Sequence, residues 1–174
     1  MELENEVRYR VEDEEQVLKA LNQRFKLKEE KQQTDTYFSP PHKDFSKDRV
    51  NYLRVRELER GESRLEYHEA VSETVTEETE TVVSDVEALK RILDALDFVE
   101  DCVVRKNRRV FEDGELEIVL DRVENLGVFI EFEYQGESRE ELDRRVRQLA
   151  ESIGVSEQDR LEDAGYPDLV LKEG

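Results

Sequence analysis

The chain is poor in most of the residues that give a quick classification. Its 174 residues include one cysteine, Cys102, two histidines, His42 and His68, and no tryptophan. A single cysteine excludes an internal disulfide and a cysteine-built metal cluster, and two histidines are too few for a histidine-built one. No repeat, low-complexity segment or linker is visible. No apolar run approaches the length of a membrane span, and the sequence is acidic from Glu2 onward, so neither a signal peptide nor a membrane anchor is expected and the reading is cytoplasmic. Positive charge is also scarce: 27 Lys and Arg stand against 46 Asp and Glu, for a formal net charge of −19. Such a surface repels a phosphate backbone, which argues against a nucleic-acid partner.

Charge is what the chain does have. Charged residues make up 42% of it and hydrophobic residues 36%, so the core must be economical. The length suits a single domain over 1–174. A sheath of carboxylates that repel one another in dilute buffer fits a high-salt cytoplasm, and a halophilic source is expected. Cys102 lies in an apolar run and reads as a small core residue. His42, in the loop Ser39-Pro40-Pro41-His42, reads as solvated.

Hydrophobic periodicity organises the rest. Asp13 is a good N-cap for a helix to about Arg24, with Val17, Leu18 and Leu21 as its apolar stripe. Ser84-Asp85-Val86-Glu87 has capping-box spacing and opens a second helix, with a stripe of Val86, Leu89, Ile92, Leu93 and Leu96. A third helix runs from about Glu137 to Ile153, with Leu142, Val146, Leu149 and Ile153 buried. The tail, 156–171, reads as a short polar helix followed by Gly165-Tyr166-Pro167-Asp168-Leu169. Between these lie about eight strands at hairpin spacing, an α+β pattern with a large antiparallel sheet.

Strand after strand carries an aliphatic face and a face with charge of both signs. Glu4, Glu6 and Arg8 share a face in the first strand. Tyr52, Arg54, Arg56 and Leu58 share one opposite Leu53 and Val55. Glu66, His68 and Ala70 lie opposite Leu65 and Tyr67. Glu78, Glu80 and Val82 fall together, as do Val104, Lys106, Arg108 and Val110, then Asp121 with Glu115, Glu117 and Val119, and finally Glu131 and Glu133 with Phe129. Arg64 and Arg105 are placed on the opposite faces. The pattern suits either a half-solvated sheet or a barrel with a polar interior and helices packed outside. Carboxylates gathered without histidine or cysteine suit Mg²⁺ or Mn²⁺, and arginines suit phosphate oxygens, so both together suit a metal-bound polyphosphate. No glycine-rich phosphate loop is present, so any such site is built from side chains.

These residues resemble the CYTH superfamily, the triphosphate tunnel metalloenzymes. Glu4-Asn5-Glu6-Val7-Arg8 is similar to its Glu-x-Glu-x-Lys signature. Asp35-Thr36-Tyr37-Phe38, Leu53-Arg54-Val55-Arg56 and Val104-Arg105-Lys106-Asn107-Arg108 resemble later strand motifs. The run from Leu120 to Glu133 is the strongest match, and with Gly165-Tyr166-Pro167-Asp168-Leu169 it looks most like the class IV adenylate cyclase and thiamine triphosphatase branch. The resemblance implies an eight-stranded antiparallel β-barrel, a tunnel with a polar interior and helices outside. It implies Mg²⁺ or Mn²⁺ held by Glu4, Glu6, Asp121, Glu131 and Glu133, and a triphosphate bound by Arg8, Arg54, Arg56, His68, Lys106 and Arg108, with Glu4, Glu6 and Arg8 as the catalytic group. The implied substrate is ATP, thiamine triphosphate or tripolyphosphate, cyclised or hydrolysed, and a homodimer is left open. Three positions depart from the pattern: Arg8 and His68 stand where the family has lysine, and Thr76 where it usually has arginine. Those departures keep a second reading alive, a non-catalytic binder or sensor of nucleotide or polyphosphate.

Overall fold

The computed structural model describes residues 4–45, 51–70, 76–114, 116–135, 139–161 and 165–173. The side chains of Glu4, Thr76 and Leu142 lie outside that description, as do Glu115 and the start of the strand expected from Glu73. The fold is α+β. Its strands are β1 (Glu4–Val11), β2 (Lys26–Ser39), β3 (Tyr52–Leu58), β4 (Ser63–Ala70), β5 (Thr76–Val83), β6 (Val99–Asp113), β7 (Leu116–Val123), β8 (Gly127–Gln135) and β9 (Arg160–Leu161). They form one nine-stranded antiparallel sheet in the order β5-β4-β3-β2-β6-β7-β8-β1-β9. The described helices are α1 (Glu14–Arg24), α2 (Val86–Ala95), α3 (Arg139–Ile153) and α4 (Tyr166–Glu173).

This order has two edges, β5 and β9, so the ladders of the described residues do not close the expected eight-stranded barrel. The ninth strand comes from the tail expected to be helical: Arg160–Leu161 adds to β1 with Arg8 opposite Leu161 and Tyr9 opposite Arg160, occupying part of the edge of β1 that β8 leaves unpaired. Only one turn of 3₁₀ helix, Glu157–Asp159, precedes it, and the regular helix of the tail is α4.

Contacts gather the chain into two compact units, one of Gln32–Arg105 with Gly165–Gly174, the other of Glu2–Lys31 with Lys106–Ala164. In the second unit the aliphatic face of the strands packs under α1 and α3. Val7, Tyr9, Ile118, Leu120, Ile130 and Phe132 meet Val17 and Leu21 of α1 and Val146, Leu149, Ala150 and Ile153 of α3. The Asp13 carboxylate caps α1 by accepting from the Gln16 N–H at 3.0 Å, a contact typically worth about 1 kcal/mol. The β7–β8 turn is made by Asn125 (φ 63°) and Gly127 (φ 109°), residue types that tolerate the left-handed region. This turn sets Asp121 opposite Phe129 and Val119 opposite Glu131.

In the first unit α2 covers Phe38 and Val55 with Val86, Leu89 and Leu93, joined by Leu53, Leu65 and Phe98. Two expectations change here. The cap is the Asp85 carboxylate, which accepts from the Ala88 N–H at 2.8 Å, rather than Ser84. Ile92 and Leu96 are 55% and 58% exposed rather than buried. Successive helical residues diverge by about 100°, so Ile92 cannot share the inward line of Val86, Leu89 and Leu93. Leu96 lies past the last helical residue, as the C-cap. Among the described residues no helix is long and apolar enough to cross a membrane.

Candidate functional site

The polar face of the second unit is built on the ladders joining β1, β8, β7 and β6. Register places Arg8 opposite Glu131 and Glu6 opposite Glu133. On the other side of the group Arg108 is opposite Asp121. The Arg8 guanidinium donates to Glu131 Oε1 at 2.7 Å and also pairs with Glu6. Arg108 donates to both oxygens of Asp121, at 2.9 and 2.6 Å, and to Glu131 Oε2 at 2.6 Å, with Glu133 3.7 Å away. The Lys106 ammonium lies 3.2 Å from Asp121. Asp121 and Glu131 are essentially sealed from solvent, at 0% and 1% exposure, and Lys106 is also buried. Charges this deep persist only when paired and hydrogen-bonded, and Arg8 and Arg108 supply bonds to both oxygens of Glu131.

Within that network Glu6, Glu131 and Glu133 each offer a carboxylate oxygen within 4.8 Å of the others. Three carboxylates this close, without sulfur or imidazole, fit a hard divalent cation such as Mg²⁺ or Mn²⁺. The Glu6 carboxyl titrates above its ordinary value: burial raises it, Glu131 adds repulsion, and Arg8 and Arg108 pull it down. Since 40% of the Glu6 side chain reaches solvent, the burial contribution belongs at the small end of such effects. Asp121, expected in the same ligand group, has its carboxylate bound by Arg108 and Lys106. The Glu4 backbone pairs with Gln135 at the start of the β1–β8 ladder, but its side chain lies outside the described residues.

The first unit carries a second charged group on β2, β3, β4 and β5. Register sets Arg56 opposite Asp35, Arg54 opposite Glu66, and His68 opposite Glu78. Arg56 binds Asp35 through two nitrogens, at 3.0 and 3.3 Å, and reaches Glu66 at 3.2 Å. Arg54 pairs with Glu66 and stands 3.9 Å from Asp35. Gln33 donates to both Asp35 oxygens, at 3.1 and 2.9 Å. Burial alone would raise the Glu66 pKa, but His68, Arg54 and Arg56 beside it hold it down at about 2. The nearby imidazole of His68 keeps Glu78 below its usual range despite partial burial. The His68 ring stacks on Tyr52 at 4.1 Å between centroids, and Tyr52 meets Tyr37 edge-on at 5.7 Å. Burial, with Asp35 adding repulsion against the pull of Arg54, pushes the Tyr37 hydroxyl up to about 12.

The structure thus brings Glu6, Arg8, Lys106, Arg108, Asp121, Glu131 and Glu133 together in one unit and Arg54, Arg56 and His68 in the other. Sequence reading overlooked Asp35 and Glu66, the buried counter-ions of Arg54 and Arg56, both 1% exposed. Strand parity already placed Glu66 beside His68; what it lacked was the register across β2, β3 and β4. Arg64, expected on the opposite face, pairs with Glu80 at 2.5 Å. It lies two residues from Glu66, whose cross-strand partner is Glu80, and period-two alternation gives it the face of Glu66 and His68.

A buried network of arginines and acids beside a three-carboxylate group, on an antiparallel α+β frame, agrees with a direct comparison of the whole chain. Residues 2–164 match the CYTH domain, and the chain belongs to that family, whose members are metal-dependent triphosphate tunnel enzymes. It is 30% identical over 156 residues to a protein of Methanocaldococcus jannaschii named "Putative adenylate cyclase", covering 87% of each. A solved structure from Pyrococcus horikoshii superposes with a TM-score of 0.81 at 27% identity, covering 98% of this chain and 99% of that one. A Hippeastrum structure, described as a "putative adenylyl cyclase" with a dominant triphosphatase activity, shares the fold at a TM-score of 0.66 and 20% identity, covering 98% of this chain and 94% of that one.

Proposed function

We propose that the protein is a divalent-metal-dependent enzyme acting on the triphosphate group of a small molecule, either hydrolysing it or cyclising ATP. The observation that carries this reading is the convergence of Glu6, Glu131 and Glu133 within 4.8 Å, beside the guanidinium groups of Arg8 and Arg108. These carboxylates, with Glu4 and Asp121 assigned to the same acidic set, would hold Mg²⁺ or Mn²⁺, which would supply Lewis-acid polarisation of the phosphoryl group. Arg8, Arg54, Arg56, His68, Lys106 and Arg108 are assigned to phosphate binding. Planar guanidinium groups fixed by buried acids hold their donors in place before the ligand arrives, which lowers the ordering cost of binding. Glu4, Glu6 and Arg8 form the proposed catalytic group. Arg8 stays charged and contributes electrostatics only, so any proton held within this group would be held by the carboxylates.

The Methanocaldococcus relative's name favours cyclisation and the Hippeastrum protein's activity favours hydrolysis. One assay separates them. The protein is incubated in molar KCl with Mg²⁺ or Mn²⁺ and with ATP, thiamine triphosphate or tripolyphosphate. Cyclic AMP with pyrophosphate identifies a cyclase, and phosphate release a triphosphatase. Glu6→Ala and Glu133→Ala should each abolish metal-dependent turnover; full activity in both variants would sink the assignment. A second reading, a non-catalytic polyphosphate binder, is favoured by the Arg8 guanidinium pairing with both Glu6 and Glu131. It predicts tight binding of tripolyphosphate with no product.

A further inference from the structure

The first unit holds a second set of donor atoms of different chemistry. We propose that Glu66, His68 and Glu78 form a binding site for a divalent transition ion of the zinc, cobalt or manganese type, made entirely by β4 and β5. Register places His68 directly opposite Glu78, and alternation puts Glu66 on the same face one step along β4. One donor atom from each of the three lies within 4.8 Å of the others. The His68 Nε2 is 3.2 Å from Glu78 Oε1 and 4.0 Å from Glu66 Oε2. Two ligand atoms about 2.1 Å from a shared ion stand about 3.0 Å apart at a right angle and about 3.4 Å apart at a tetrahedral angle. The His68–Glu78 pair already has that spacing, and the Glu66 oxygen, 4.0 Å from Nε2, has to move closer to join it.

The imidazole supplies the independent indication. His68 is only 7% exposed, and among the described residues its buried Nε2 has no partner placed for a hydrogen bond. The Glu78 oxygen, although 3.2 Å away, is not placed as a hydrogen-bond acceptor for that nitrogen. Leaving a buried polar atom this way is costly, and a ligand on Nε2 would offset that cost. The ring is also held: stacking on Tyr52, at 4.1 Å and 19°, aims its nitrogens before any ion arrives.

The surrounding charge permits a cation. Asp35, Glu66 and Glu78 carry three negative charges against two positive charges on Arg54 and Arg56, leaving one negative with a neutral imidazole. Arg54 and Arg56 both bind Glu66 and work against a neighbouring cation. A carboxylate has about four acceptor positions, however, so guanidinium donors and an ion can share it. One imidazole with two carboxylates suits zinc, cobalt or manganese better than magnesium, which prefers oxygen and water alone. A His68 bound to the ion would leave the phosphate-binding set proposed above, and the remaining assignments of the proposed function do not depend on it.

The test uses the full chain, freed of metal by chelation and titrated with Zn²⁺ while the histidine ring protons are followed by NMR. Only two histidines are present, so His42 serves as the internal reference. The expected result is that the His68 ring signals shift with saturation at one equivalent while those of His42 stay still. His68→Gln should lose one bound Zn²⁺, and Glu78→Gln, at a partly exposed position, should weaken Zn²⁺ binding at least tenfold. Glu133→Gln should leave the His68 response intact. Circular dichroism establishes that each variant is folded, and the titration of the unaltered protein needs no variant. Unmoved His68 signals at saturating Zn²⁺ would overturn the proposal, as would unchanged affinity in Glu78→Gln. No triphosphate is involved, so failure here and failure to find turnover are separate results.

Discussion

Replacing Asp121 by asparagine tests whether the polar network of the second unit is held by charge. The side chain keeps its shape and loses one negative charge at a position with 0% exposure. Three bonds are affected: two from Arg108, at 2.9 and 2.6 Å, and one from Lys106, at 3.2 Å. Removing one partner of a buried ion pair typically costs about 3–5 kcal/mol, because the remaining charge is left undercompensated. Arg108 retains Glu131 at 2.6 Å and Glu133 at 3.7 Å, which places the expected loss near the lower end, about 3 kcal/mol. For a chain of this length that corresponds to a fall in Tm of about 6–12 °C. Urea and thermal unfolding followed by circular dichroism in molar KCl measure it. The double variant Asp121→Asn with Arg108→Met should cost less than the sum of the two single losses, because the Arg108–Asp121 bonds are lost only once. A single-variant loss below about 1 kcal/mol would refute the reasoning, and so would a double variant as unstable as the sum of its parts.

Other consequences are simpler to read. The hydroxyls of Tyr9 and Tyr37 are each pushed up to about 12, Tyr9 by burial and then by its bond to Glu157 at 3.0 Å, Tyr37 by burial. A tyrosine ionises near 10 when unfolded, so stability is intact below that pH and is lost as pH rises from about 10 to about 12; ionisation of all six tyrosines near pH 10 without unfolding would contradict this. Burial, followed by repulsion from Asp101, Asp168 and Glu100, pushes the Cys102 thiol up to about 12. At pH 8 it should react with a thiol reagent roughly a thousandfold more slowly than an ordinary cysteine, and a rate equal to that of free cysteine would show the thiol to be unburied. With a net charge of −19, the folded chain repels itself until salt shortens the screening length from about 30 Å at 0.01 M to about 3 Å at 1 M. Tm should therefore rise with KCl; equal stability at both ends of that range would refute the halophilic reading.

Much of this was legible in the residues because strand alternation is a short-range rule. Glu6 and Arg8, Arg54 and Arg56, Lys106 and Arg108, and Glu131 and Glu133 are spaced by two, and period-two geometry alone puts each pair on one face. What required the structure was register. Asp35 meets Arg56, and Glu66 meets Arg54, only after β2, β3 and β4 are aligned, and a slip of one residue would turn either acid to the other face. The exposure of Ile92 was hidden for a different reason: an apolar residue beside a stripe looks like part of it until the width of the covered surface is known. The two-residue strand Arg160–Leu161 is too short to show any period, and only the unpaired edge of β1 gives it a reason to form.

The charges of the second unit also order its binding events. Glu6, Asp121, Glu131 and Glu133 carry four negative charges; Arg8, Lys106 and Arg108 carry three positive. The sum is one negative, and Glu4, assigned to the same acidic set, makes it two, so a polyanion meets a group that, as a whole, does not attract it, even though three cations are present. A divalent ion at Glu6, Glu131 and Glu133 would cancel that sum and also draw those carboxylates toward itself, loosening their hold on Arg8 and Arg108. Metal and triphosphate should accordingly bind with positive coupling, and by linkage each must raise the affinity of the other by the same factor. Calorimetric titration of tripolyphosphate, with Mg²⁺ and with chelator, measures that factor, and about 5- to 150-fold is expected from a coupling of about 1–3 kcal/mol. The comparison must be made at constant molar KCl, because screening alone shifts the affinity of any polyanion. Equal affinity with and without Mg²⁺ would mean that the arginines bind phosphate without help, and that the three carboxylates serve only as their counter-ions.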